Sequence, residues 1–392
     1  MQTLFSKSSD ILYFNSANLS LCPNPILNAI DTYRRQFETN PTQSLKNSWQ
    51  NLWSAQEKLA HFLGATPSDL ILRTNVTDVL NAFILGVPLN PDEEILVGEL
   101  EYGAIANICR FRSERDNLPL RFLKIPQSPP ALSKLTSTQL IESITSQLTS
   151  KTRILVLSHV IAGLGLKMPI EDVAEVTRKM GIYFIVDGAY APGALEVNFS
   201  TLQNIDFYGC SLYKWLLGPK GTAFGWVHPQ VQEKLLPLQA GWTTFESQGD
   251  FNLFGAGSRF QQKFQLSGCR DFSPFFAINE TIELWQSIEP SAVRKHILKL
   301  NQLFQSEIER QLHWRPLLPS DSSLVGPMTV FRLPDKIQAQ ASNLSKYFLE
   351  KIKAQLHFTQ LNSGWYGVFS PHIYNSEDEV QELVMRLKSL AL

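Results

Sequence analysis

One carboxylate and one amine, Asp187 and Lys214, are the residues of this 392-residue chain whose placement points most directly to chemistry. Asp187 closes the apolar run from Tyr183 to Val186 and is followed by Gly188 and Ala189. That is the pattern of a buried strand delivering an acid to the carboxyl edge of a sheet, where open α/β sheets bind ligands. Lys214 follows a second such run, IDFYGCS, whose last residue, Ser211, brings a hydroxyl to the same edge. An amine there can hold an aldehyde as a Schiff base, and a carboxylate can keep a heteroaromatic nitrogen protonated so that the ring draws electrons from a carbanion. Pyridoxal 5'-phosphate requires that pair. Each residue also has a plainer reading: Asp-Gly is a common turn, and Lys214 can be a solvated loop lysine with Lys220 as its rival. Together they are far more specific than either alone.

A third group of residues suits an anion. ILRTNVTDVL passes from a strand through Asn75, Val76 and Thr77 into a helix, so free first-turn amides and the Thr77 hydroxyl face the same edge. A plain cap serving only its own helix is the competing account of Thr77. Glycine patterns of the Walker or Rossmann kind are absent.

The elements needed to carry these residues follow from periodicity. Helical spacing covers 26–38, opened by Pro25, and 45–64, with further helices at 135–148 and 169–180. Strands are expected at 69–73, 94–98, 120–125, 153–159, 182–187, 206–210 and 222–228, mostly with amphipathic helices between them. This alternation predicts an α/β fold with a mainly parallel seven-stranded sheet between helices, in a large domain over 26–275. Residues 276–392 read as a smaller α+β domain, with strands near 326–333, 356–361 and 366–370 and a closing helix at 377–390.

Composition is that of an ordinary soluble globular protein, 44% hydrophobic and 18% charged, and the length suffices for one large and one small domain. A net charge of -1 without a Lys/Arg block argues against nucleic acid or an anionic membrane as partner. No apolar run approaches a spanning length and MQTLFSKSSD lacks a signal core, so a cytoplasmic protein is expected. The four cysteines, Cys22, Cys109, Cys210 and Cys269, have neither metal-ligand nor disulfide-framework spacing.

Five ordered runs carry a resemblance that covers nearly the whole chain: YFNSANLSLCPNPIL from Tyr13, FETNP at 37–41, ELEYGAI at 99–105, SGCRDFSPF at 267–275 and FSPHIYNSEDEV at 369–380. With the Asp187–Lys214 segment, they resemble the class V aminotransferase family of fold-type I pyridoxal phosphate enzymes, most closely its isopenicillin N epimerase-like and cysteine desulfurase-like branch. The resemblance implies that residues 1–25 join the small domain and that the active site forms across a homodimer. It implies a phosphate cup from Thr77 and Ser211, and the ring of Tyr102 lying flat on the cofactor, against the alternative of a core tyrosine at a strand end.

Several positions depart from the family's pattern. In SHVIAGLGLKMPI, the residue that offers a donor to the cofactor's phenolic oxygen is Ala162 or Gly163, neither of which has one. Tyr190 stands for the usual His or Gln, and Tyr213 for the His before the lysine. Cys269 replaces a Thr that reaches the neighbouring subunit's cofactor phosphate. The arginine that clamps the substrate carboxylate, two residues before the Ser of Ser-Pro-His, is here Val368. Arg270 is the best replacement, with a pair to Asp271 or a structural anchor as its alternatives, and the loop near Asn18 offers backbone amides. Desulfurases of this fold use a cysteine in the C-terminal domain, and none follows Cys269. What is implied is an enzyme acting on an amino acid or a derived amine by α-proton abstraction, of epimerase, lyase or aminotransferase type. The alternative is a catalytically weakened binding or assembly protein on the same scaffold.

Overall fold

Seven apolar runs pair edge to edge in the computed structural model, which describes residues 2–241, 243–245, 258–265, 268–339 and 343–391. Ser267, which opens the SGCRDFSPF run, lies outside the described residues. The strands are β1 (Leu70–Arg73), β2 (Glu94–Gly98), β3 (Leu120–Leu123), β4 (Thr152–Ser158), β5 (Tyr183–Asp187), β6 (Phe207–Ser211) and β7 (Ala223–Val227). Their order across the sheet is β1-β7-β6-β5-β4-β2-β3. All neighbours from β6 to β3 run parallel, and β7 alone opposes the strands beside it.

Burial on both faces explains why these runs are continuously apolar. Successive residues of one strand point to opposite sides, so Phe184 and Val186 enter one core with Leu155, Tyr208 and Phe224, while Tyr183 and Ile185 enter another with Val156 and Phe207. Each fully buried side chain of this size contributes about 1.5–3 kcal/mol against exposure.

Of two N-terminal helices, α1 (Asn24–Thr39) and α2 (Pro41–Phe62), α2 packs on the sheet beside β1, whereas Ile26 and Ile30 of α1 pack with Cys22 and Ala277. The second starts earlier than its spacing suggests because Asn40 accepts the Gln43 N–H at 3.2 Å and Pro41 suits the first turn. The FETNP run is thus the junction of two helices.

The C-terminal part builds a four-stranded antiparallel sheet from β8 (Pro316–Leu317), β9 (Thr329–Arg332), β10 (His357–Leu361) and β11 (Gly364–Phe369), in the order β8-β9-β11-β10. Helices Pro290–Leu312 and Glu377–Ala391 pack against it through Phe304, Phe369 and Leu383. The start of the chain is tied to this part: Leu12–Tyr13 pairs in parallel with Ala354–Gln355, and Asn15 bridges to Ser370.

Candidate active site

Asp187 ends β5 and lies in register with Gly209 of the adjacent β6, whose last residue is Ser211; Lys214 occupies the connection from β6 to β7. The sheet therefore brings acid, hydroxyl and amine to one edge. Lys214 Nζ stands 4.2 Å from the centroid of the Tyr190 ring, a cation–π contact. Burial pulls the lysine pKa down, but the charges of Tyr190, Asp187 and Tyr213 outweigh it, and the net shift is upward. The rival amine is engaged elsewhere, since Lys220 donates to the Ser20 carbonyl at 2.6 Å.

Asp187 is 1% exposed, and its Oδ1 accepts the Ala189 N–H at 2.9 Å. Burial raises its pKa, opposed by the charge of Lys214 and that hydrogen bond. A carboxyl group so placed is driven to pair with a cation. Its main chain is fixed on both sides: the Asp187 carbonyl accepts the His159 N–H at 2.8 Å, and Gly188 N–H donates to the Gly209 carbonyl at 2.7 Å. Any side chain at Gly188 would put a Cβ 2.0 Å from the Tyr208 ring, so the Asp-Gly pair is a packing requirement, not a turn preference.

The anion site assembles around a helix start. In Val76–Gly86, Asn75 caps the first turn by accepting the Asp78 N–H at 2.9 Å, and Ser211 Oγ accepts the Val76 N–H at 3.0 Å. Asp78 braces the loop from behind through Arg73 at 2.6 Å and Thr74 at 2.9 Å. The half-buried Thr77 hydroxyl has no hydrogen-bond partner among the described residues, so it is free for an anion while Asn75 does the capping.

Tyr102 is 57% exposed at the start of Gly103–Asp116, which rules out a core tyrosine, and its phenol is near enough to act on Tyr190. The Tyr213 carbonyl accepts the Ser20 N–H at 3.2 Å, so the loop carrying the exposed Asn18 is pinned beside the lysine segment. From the C-terminal part, His372 donates through Nε2 to the Trp215 carbonyl at 3.0 Å while its Nδ1 accepts the Ile373 N–H at 2.8 Å. The ring lies between Trp215 and Tyr374.

Arg270 packs against two aromatic rings, Phe272 and Phe275. Its guanidinium lies 4.3 Å from the Phe275 ring centroid and bonds weakly to the Gln265 carbonyl at 3.4 Å. Burial and the nearby Arg73 lower its pKa to about 10, with Asp78 opposing. It does not pair with Asp271, which binds Arg34 at 2.9 Å. Cys269 is exposed, and Val368 is fully buried.

Sequence reasoning missed Glu101. This buried carboxyl accepts the Ser158 N–H at 2.8 Å and bonds the Ser158 hydroxyl; burial and the charge of Asp187 push its pKa up to about 8 against those bonds. His159, equally buried, bonds the Tyr208 phenol at 2.9 Å through Nδ1 and is held down to about 3 by burial and Lys167. The adjacency of Glu101 to Tyr102 was the available signal.

The sequence model described as aminotransferase class-V matches residues 12–354. The chain belongs to the aminotransferase class-V family. Among curated relatives, it is 29% identical over 387 residues to an isopenicillin N epimerase of Amycolatopsis lactamdurans, covering 96% of this chain and 94% of that protein. It is 21% identical to a probable cysteine desulfurase of Methanothermobacter thermautotrophicus, covering 97% and 95%. Among solved structures, a mutant of C-DES with glycine covalently linked to its PLP cofactor superposes with a TM-score of 0.87 at 19% identity, over 99% of both chains.

The class V cofactor is pyridoxal phosphate, and the residues present fit it. Lys214 supplies the amine, Asp187 a buried carboxyl with no salt bridge among the described residues, and Thr77 a hydroxyl without a partner among them at the start of the capped helix, where a phosphate would be held. The fold is that of the family's fold-type I enzymes, with the mixed, mostly parallel seven-stranded sheet described above.

Proposed function

We propose that this class V enzyme removes and returns the α-proton of an amino acid or an amino-acid-derived amine, with Lys214 bonded to the cofactor before substrate arrives and serving as base afterwards. The observation that carries the reading is the contact of Lys214 with the Tyr190 ring, at the edge where Asp187 ends β5 and Ser211 binds the start of the following helix. Pyridoxal phosphate, when bound, supplies an electron sink that acidifies the hydrogen on the carbon bearing the amine. Asp187 is positioned to keep a proton on the ring nitrogen, and Tyr190 to hold the amine's charge and direction. Thr77, Asn75, Val76 and Ser211 hold the phosphate end, and Tyr102 lies open to cover the ring. The epimerase direction is favoured by the 29% identical relative and by the cysteines: Cys22, Cys109 and Cys210 are buried, and none follows Cys269.

The same reading makes the protein a cytoplasmic homodimer, with exposed Cys269 facing a second copy. The test is colour and exchange. Purified protein given the cofactor should gain a visible absorption band that Lys214→Ala lacks, and a responsive amino acid should exchange its α-hydrogen with deuterated solvent without forming keto acid. Pyruvate and ammonia would assign a lyase. Colourless protein would leave a binding or assembly role.

A further inference from the structure

One basic side chain of the C-terminal sheet, His357, feels the charge of Lys214 and has no part in the reading above. His357 opens β10, in register across the hairpin from Val368 of β11, so the two side chains share one face of the sheet. Two residues along β10, on the same face, Thr359 reaches the large sheet's cleft loop: a Cβ at Gly163 would stand 3.2 Å from Thr359 Oγ1. That face therefore meets the hairpin that follows β4, whose last residue, Ser158, is in register with Asp187. Neither ring nitrogen of the half-buried His357 has a hydrogen-bond partner among the described residues. Burial lowers its pKa, and the charge of Lys214 lowers it further, so the imidazole beside the lysine is neutral. Val368, which the resemblance sets in the place of a guanidinium, is apolar and fully buried.

We propose that His357 is a specificity-determining residue that binds the polar group next to the substrate's reacting carbon through one neutral hydrogen bond, so that an amide is accepted as readily as a carboxylate. A planar guanidinium demands an anion and binds it twice, whereas a neutral imidazole offers one N–H and gains little from the charge. The inference rests on Lys214 carrying the cofactor as proposed above.

The experiment titrates cofactor-loaded protein with an L-amino acid and with its α-amide, reading dissociation constants from the spectral change of the bound cofactor. Wild type should bind the two within about tenfold of each other, since a single neutral hydrogen bond separates them little. His357→Ala should weaken both about fivefold to tenfold, and His357→Gln, which keeps a neutral donor, should restore binding. Val368→Arg should shift the ratio at least about tenfold toward the carboxylate by adding a charge-assisted pair. A hundredfold wild-type preference for the carboxylate, or a His357→Ala variant that binds both probes like wild type, overturns the assignment and leaves the Lys214 reading intact. Failure of the wild type to take up cofactor removes both.

Discussion

Ser211 Oγ accepts the main-chain N–H of Val76 at 3.0 Å, joining the end of β6 to the first turn of the helix that follows β1. One hydrogen bond thus sets the distance between the lysine loop and the anion site. Ser211→Ala leaves a buried donor without its acceptor, at a cost of about 1–3 kcal/mol. Cofactor affinity, read by titrating cofactor-free protein and following absorbance, is expected to fall about tenfold, and Ser211→Thr should recover most of it. Unchanged affinity in Ser211→Ala would detach β6 from the phosphate site.

Capture of the cofactor requires Lys214 to lose a proton. Tyr190, Asp187 and Tyr213 overcome the effect of burial and hold its pKa above the ordinary 10.5, so the reactive neutral amine is scarce near neutrality. Below that pKa, the rate of cofactor uptake should rise about tenfold per pH unit in stopped-flow absorbance. Tyr190→Phe should raise the rate at a given pH. A pH-independent rate would mean that another step controls uptake.

Glu101 makes stability depend on alkali. Its folded-state pKa of about 8 lies above the ordinary 4.5, so between those values the folded chain holds the extra proton. Its contribution is complete below 4.5 and is lost as the pH rises toward 8. Glu101→Gln should flatten this part of the profile in urea unfolding of cofactor-free protein. A slope that survives the substitution assigns it to another group.

His372 and His159 act at the acid end. Burial holds them at about 4 and about 3, below the ordinary 6.5, so the unfolded chain takes up their protons first as the pH falls. Stability from both is complete above 6.5 and is lost progressively toward 4 and 3. His372→Asn should reduce this acid loss, measured as the change in thermal midpoint between neutral and mildly acidic buffer. It should also loosen the lysine loop, because the Nε2 bond to the Trp215 carbonyl disappears.

That Asp187 and Lys214 come to one sheet edge was legible in the sequence because the acid closes one buried strand and the lysine follows another, where an apolar run interrupted by a charge has few explanations. The seven sheet strands were legible for the same reason, with ends displaced by one or two residues. Glu101 escaped because the aromatic beside it accounted for its run, and only packing against Ser158 reveals the buried carboxyl. His357 escaped for a topological reason: its position across from Val368 depends on hairpin register, which a histidine in a short strand does not advertise. Arg270 was read with a pair to Asp271 or a structural anchor as its alternatives, and only packing shows that Asp271 binds Arg34 while Arg270 lies on Phe275 and donates to the Gln265 carbonyl.

Leu12–Tyr13 pairs with Ala354–Gln355, Asn15 bridges to Ser370, and the Ser20 N–H reaches Tyr213. During synthesis the first of these partners leaves the ribosome more than three hundred residues before the last. The strand pairing and bridge that anchor residues 12–15 therefore wait until Ser370 has been made, whereas Ser20 can meet Tyr213 and Lys220 well before that.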